Sequence, residues 1–147
     1  MQKGRRLAFD YGDVRIGVAV TDPDCILATP VETLTTKRED LWDRIFNLLA
    51  EYEPVCVYVG RPVHLSGNES ESTLKAELFA EQFRERFDVE VMMVDERLST
   101  VSAQRSMREA GRTARESKAA IDQAAAVAIL EAAMDVEKSK VRRETGE

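Results

Sequence analysis

The chain is predicted to be an α/β protein built on one mixed five-stranded sheet flanked by helices. Three observations predict it. From Leu7 to Asp22 (LAFDYGDVRIGVAVTD) apolar residues recur at every second position on either side of Tyr11-Gly12-Asp13, the period of two strands joined by a tight turn. Further along, stretches at helical spacing alternate with short apolar runs, the pattern of parallel strands buried on both faces. The resulting order is a three-strand meander, then helix, strand, helix, strand and two helices, which a single mixed sheet covered by helices satisfies.

The third strand is expected over Ile26 to Leu34, with Pro30 tolerated at an edge or a bulge. A helix follows from Arg38 to Tyr52, because Leu41, Trp42, Ile45, Leu48, Leu49 and Tyr52 share one face; Pro54 stops it. Val55 to Val59 is a continuous apolar run and reads as a buried strand, ended by Gly60-Arg61-Pro62. Val63 to Thr73 is polar and without period, a loop. A second amphipathic helix turns Leu74, Leu78, Phe79, Phe83 and Phe87 inward, and Val89 to Val94 is the next strand, closing on Asp95-Glu96-Arg97. Ser99 or Thr100 caps a third helix that runs to Ala110, with Gly111 as its C-cap. The last helix spans Ala119 to Val136 behind an apolar stripe of Ile121, Ala125, Ala128, Ile129 and Ala132. From Glu137 the charged tail is expected to fray.

The bulk numbers narrow the class. The 147 residues suit one domain, 44% hydrophobic and 33% charged, as in an ordinary soluble protein. No apolar run approaches a membrane span, and MQKGRR has no signal-peptide core behind it, so a cytoplasmic protein with no membrane partner is expected. Cys25 and Cys56 are isolated, which suggests neither a disulfide framework nor a zinc motif; Cys56, inside VCVYV, reads as a small buried residue. The net charge of −6 argues against a simple nucleic-acid coating protein but allows a local basic patch.

Ligands of open sheets gather at the carboxyl ends of strands, and three polar strand ends stand out here: Asp10, Gly60-Arg61-Pro62 and Asp95-Glu96-Arg97. An acid at the rim of an apolar sheet needs water, a cation or a partner, although Asp10 beside Gly12 also suits a plain turn. Asp95 and Glu96 are neighbours on a strand end and should point to opposite faces, so one of them enters the site. Asp122 lies one turn into an otherwise apolar helix, where it either complements the helix dipole or serves a site. If Asp10, Glu96 and Asp122 converge, their oxygens suit hard divalent cations such as Mg²⁺ or Mn²⁺, and two such ions activate water against a phosphodiester.

Basic residues sit where a polyanion would need them. Arg105, Arg108, Arg112, Arg115 and Lys118 recur every three or four residues, so that segment 101–118 carries +3 and the remainder −9. A solvated helix face with Glu109 and Glu116 as partners is the plainer reading; the position of Lys118 four residues before Asp122 favours a phosphate-binding face. His64, the single histidine, lies in a polar loop without a partner. Ser66 and Ser99 lack the base that nucleophilic catalysis requires.

Four motifs together resemble the YqgF/RuvX family of bacterial RNase H-like proteins, described as pre-16S rRNA nucleases or Holliday junction resolvase-like proteins. They are Asp10-Tyr11-Gly12 with Arg15-Ile16-Gly17-Val18-Ala19; Gly60-Arg61-Pro62 with Ser66-Gly67; Asp95-Glu96-Arg97-Leu98-Ser99-Thr100; and Lys118 with Ile121-Asp122-Gln123-Ala124-Ala125-Ala126. The resemblance covers Leu7 to about Met134. It implies an RNase H-like three-layer fold and metal-dependent endonuclease activity near the 5′ end of the small-subunit rRNA precursor. By position it makes Asp10, Glu96 and Asp122 the catalytic and metal-binding residues, holding two Mg²⁺ or Mn²⁺ ions. Lys118, Arg15, Arg97, Arg108, Arg112 and Arg115 are then the substrate contacts, and ribosomal or transcription proteins are candidate partners. Two positions matter for that implication: Arg61 stands where the family has leucine and is expected to add a cation near the cleft. Ala125 stands where true junction resolvases of this fold carry a further metal ligand, which disfavours junction resolution.

Three alternatives are carried forward: a Holliday junction nuclease, a non-catalytic module that holds RNA or a transcription factor, and an actin-like phosphotransferase lobe. The last needs two lobes to close on ATP, and the clustered acids give a pure binder no advantage near phosphate.

Overall fold

The computed structural model describes residues 2–62, 71–96 and 115–145. Five strands and three helices follow in the order β1 (Arg6–Tyr11), β2 (Arg15–Thr21), β3 (Ala28–Thr35), α1 (Leu41–Tyr52), β4 (Cys56–Arg61), α2 (Glu71–Arg86), β5 (Glu90–Asp95) and α3 (Arg115–Thr145). The strands form one sheet in the order β3-β2-β1-β4-β5. β1, β2 and β3 pair antiparallel, while β4 joins β1 and β5 joins β4 in parallel. This is the predicted meander followed by parallel strands, and it is an RNase H-like sheet.

Alternation along the strands sorts the core into two layers. Leu7, Phe9, Ile16, Val18, Val57 and Val59 turn towards α1 and α2, whose Ile45, Leu48, Phe79 and Phe83 are buried against them. Rings dominate this layer: Phe83 meets Phe9 edge-on at 5.3 Å, and Trp42 stacks on Phe79 at 5.4 Å. Ala8, Ala19, Cys56, Tyr58 and Val94 turn the other way, against Ala125, Ala126, Ile129 and Ala133 of α3. Trp42 and Cys56 therefore occupy the core roles their patterns suggest.

Element ends follow local chemistry. Glu53 closes α1 in a left-handed conformation (φ 45°) with its N–H donating to Leu49 O at 2.9 Å, and Pro54 blocks continuation. Pro30 lies opposite Ala19 on the edge strand β3, where the register shifts between Val18 and Ala19, as expected of a proline in a sheet.

Several expectations are corrected. The loop ends before Glu71, not at Thr73: Thr73 is inside α2, buried, and its hydroxyl donates to the Pro62 carbonyl. Leu74 and Leu78 are 55% and 57% exposed, and the buried face of α2 is built by Thr73, Ala76, Phe79, Ala80 and Phe83. The face is therefore rotated from the predicted one, because Phe79 and Phe83 pack on Phe9 of β1 and on Trp42 of α1. β3 starts at Ala28 and α1 at Leu41, each later than periodicity suggested. The predicted helix from Ser99 to Ala110 and its cap Gly111 lie outside the described residues.

The largest correction concerns the tail. α3 runs to Thr145, and Glu137 is anchored to the sheet. The guanidinium of Arg6, only 3% exposed, meets Glu137 Oε2 at 3.1 Å, and the Tyr58 hydroxyl donates to the same carboxylate. Arg6 also donates to Cys25 Sγ at 2.8 Å. Burial and the Glu137 carboxylate push the Tyr58 phenol well above its ordinary pKa, so it remains a donor. A buried arginine needs its charge matched, and Glu137 supplies the match by keeping the helix ordered past the predicted fraying point.

Candidate active site

Asp10 lies in the last turn-ward part of β1, paired with Gly17 of β2. The β1–β4 register runs to Phe9 with Val59, and its next step sets Gly60 on the other side of Asp10. Gly17 pairs in turn with Thr33, and Gly60 with Val94. One row across the sheet is thus Thr33, Gly17, Asp10, Gly60, Val94, and the alternation of faces turns Asp10 towards α3.

The two glycines are what make this row a site. A Cβ on Gly17 would run into the backbone carbonyl of Asp122 on α3. A Cβ on Gly60 would meet Ile129 and come within 3.0 Å of Glu96 Oε1. Without side chains there, α3 descends onto the sheet beside Asp10 on one flank, and the Glu96 carboxylate lies over it on the other. Asp10 is 2% exposed and Glu96 3% exposed. Asp95, by contrast, faces the other way along β5 and is half-buried; the alternation expected for these neighbours selects Glu96.

Asp122 occupies the second turn of α3, because the helix begins at Arg115 instead of Ala119. Dipole stabilisation fades beyond the first turn, so the helix-end explanation for this acid loses its footing. Its carboxylate is engaged by Arg15: the Nε of Arg15 donates to Oδ2 at 2.7 Å, with the side chains 38% and 17% exposed. The next residue, Gln123, donates from Nε2 to Thr33 Oγ1 at 3.2 Å. Among the described residues, no three His, Cys, Asp or Glu side chains gather closely enough to hold one metal ion.

The donor set is all oxygen. Asp10 and Glu96 are two buried carboxyl groups close to Gly60 on one face, and oxygen donors of this kind suit a hard cation. Asp10 and Glu96 fit an Mg²⁺ or Mn²⁺ ion in that sense; Asp122 is on the same side of the sheet but is turned to Arg15. Ala125, the position where a further ligand was considered, is 2% exposed in the α3 core.

The basic residues divide. Arg15 borders the site. Arg61 does not add charge to it: its Nε donates to Glu77 of α2 at 2.9 Å, on the opposite face of the sheet, which corrects the expectation of an extra cation in the cleft. Arg97, Arg108 and Arg112 lie outside the described residues, as do His64, Ser66 and Ser99. Arg115 and Lys118 fall on the first turn of α3, where the backbone alone is described. Gly17 and Gly60 are the residues that sequence reasoning undervalued. A glycine interrupting an apolar strand is the available signal, since it marks close approach by another group.

The strand order β3-β2-β1-β4-β5 of this mixed sheet, with a long helix on one face, is that of an RNase H-like fold. The family model described as "RuvX: Holliday junction resolvase" matches residues 4–136, and the chain belongs to the RuvX family. It is 46% identical over 138 residues to a Corynebacterium jeikeium protein named "Putative pre-16S rRNA nuclease", covering 92% of this chain and 89% of that one. It is 49% identical over 149 residues to a Mycolicibacterium smegmatis protein of the same name, covering 97% and 88%. Among solved structures it is similar to Thermus thermophilus RuvC in complex with Holliday junction substrate, with a TM-score of 0.49 and 18% identity over 86% of this chain and 91% of that chain.

Proposed function

We propose that this protein is a divalent-metal-dependent endonuclease that hydrolyses phosphodiesters of the 16S rRNA precursor during 5′-end maturation. The observation that carries the reading is the Asp10–Glu96 pair, buried on either side of Gly60 on the α3 face. Two buried acids on one face offer an all-oxygen donor set of the kind that hard divalent cations take. Relatives named as pre-16S rRNA nucleases, with nearly full-length coverage, support RNA as the substrate.

In this reading Asp10 and Glu96 would hold the ion, with Asp122 as the third candidate ligand on the same side of the sheet. Mg²⁺ or Mn²⁺ bound there supplies the charge that activates a water and stabilises the leaving oxygen. The chain's own residues do the rest. Gly17 and Gly60 keep the floor of the site low, so that the acids sit at the depth of the sheet. Ile129 and the alanines of α3 exclude water from behind Asp10. Arg15, with Lys118 and the arginines of segment 97–115, provides positive charge for the phosphate backbone. No helix among the described residues is long and apolar enough to cross a membrane.

The test is cleavage in Mn²⁺ of leader-containing 16S rRNA precursor, generic single-stranded RNA and a four-way DNA junction, by wild type and by Asp10→Asn. The variant should lose at least about a thousandfold in rate while keeping its unfolding midpoint, since asparagine keeps the size and shape of the aspartate side chain. Precursor cleavage by Asp10→Asn at the wild-type rate would falsify the site. Cutting of the junction alone would reassign the substrate to DNA. Binding without cutting in every metal tested would make this a holding module for RNA or for a ribosomal or transcription protein.

A further inference from the structure

The Asp122 carboxylate has two possible destinations, and the fold determines how it can reach them. The backbone of α3 cannot slide at this point, because the Asp122 carbonyl rests on Gly17 and Gln123 is bonded to Thr33. Rotation about the side-chain bonds is the freedom that remains. Along β2 the period of two puts Arg15 on the same face as Gly17, about 7 Å further towards the sheet's edge, while Asp10 pairs with Gly17 directly. From its root over Gly17 the carboxylate reaches Arg15 along β2, and the strand that carries Asp10 is the next one across the sheet. The carboxylate is found with Arg15, at 2.7 Å, the arginine side chain 38% and the aspartate 17% exposed.

We infer that Arg15 is a positioning residue that competes with the metal for Asp122: it holds the carboxylate outside the ion site until a cation draws it in, and is thereby released to take a substrate phosphate. The inference rests on the assignment of Asp10 and Glu96 as the ion-holding pair. Its logic is linkage: an ion that prefers three carboxylates must break the Arg15–Asp122 pair, so the pair weakens the ion and the ion weakens the pair by the same factor. Two charges exchange partners in the process. Before binding, Arg15 neutralises Asp122; afterwards the cation does, and a free guanidinium stands at the rim where the phosphodiester arrives.

The measurement is Mn²⁺ affinity by calorimetry, without nucleic acid, for wild type, Arg15→Gln, Asp122→Asn, the double variant and Asp10→Asn, each checked for folding by circular dichroism. Arg15→Gln should bind Mn²⁺ about three- to tenfold more tightly than wild type, the range expected when a partly exposed ion pair no longer competes. In the Asp122→Asn background the same change should have no effect. Arg15→Lys, a fallback if the glutamine variant does not fold, should lie between the two because it keeps charge without the Nε geometry. An equal tightening in the Asp122→Asn background would mean that Arg15 acts only as a nearby positive charge, and the competition is overturned. Loss of binding in Asp10→Asn with no change in Arg15→Gln overturns the competition alone and leaves the ion site standing. No Mn²⁺ binding by wild type overturns both.

Discussion

The two faces of the sheet are built from opposite materials. Towards α1 and α2 the layer is thick, filled by Phe9, Phe79, Phe83 and Trp42 with ring centroids 5–6 Å apart. Towards α3 it is thin, lined by Ala8, Ala19 and the alanines of the helix, and reduced to bare backbone at Gly17 and Gly60. The thick face has one task, which is to remove large apolar surfaces from water. The thin face lets a helix approach the sheet closely at Gly17 and leaves Asp10 and Glu96 buried on the same side as that helix. Aromatic packing and the buried strand-end acids are thus separated by the plane of the sheet, with Tyr11 and Asp10, adjacent in sequence, on opposite sides of that division.

The separation makes predictions that single substitutions can break. Phe83→Ala, in the centre of the thick face, should cost about 3–5 kcal/mol in denaturant unfolding, yet the molecules still folded should cleave at the wild-type rate per active site. A matching fall in specific activity would show that the two faces are coupled. Gly17→Ala should have the smaller effect on stability, about 1–3 kcal/mol as α3 is lifted from the sheet. Because it displaces Asp122, it should reduce Mn²⁺ affinity and cleavage by more than its stability loss explains. If both readouts stay at wild-type values, the close approach is not what builds the site. The smallest effect is local and lies far from both faces. Backbone N–H groups of Leu27 and Ile26 hold the Asp22 carboxylate below its usual pKa. A lowered folded pKa means that the contribution is intact above the ordinary value and is lost as pH falls through the depressed one. Amides of residues 26 and 27 should therefore exchange faster in acid, below about pH 4, with no such change in Asp22→Asn.

Much of this was legible in the sequence because the relevant signals are local. The hairpin, the apolar runs and the strand-end acids each occupy a few contiguous residues, and the alternation that separates Asp95 from Glu96 needs only counting. What escaped was set by distant partners. Glu137 looks like part of a charged tail until Arg6, more than a hundred residues earlier, is placed beneath it. Leu74 and Leu78 fit a helical stripe, but α2 is oriented by Phe79 and Phe83 meeting Phe9 and Trp42, which leaves those leucines outside. Arg61 looks like a cation for the cleft until the strand's alternation turns it towards Glu77. The site itself was half visible. Asp10 and Glu96 stand out as candidates at strand ends, but the room for both to be buried on one face lies in the two glycines, whose role is defined by what approaches them.

The outer strand of the meander has a consequence for how the molecule behaves in a crowded solution. An open sheet edge is a template for another chain, and proteins protect such edges against aggregation. β3 carries Pro30, which has no N–H to offer a newcomer, beside a register shift that bends the strand. One step along, Glu32 is clasped by Arg44 of α1 through both guanidinium arms. A ladder approaching this side would meet a missing donor, a kink and a fixed charge pair. Replacing Pro30 would restore the donor, and the first sign of its loss should be self-association at high concentration, well before any change in the fold of the single molecule.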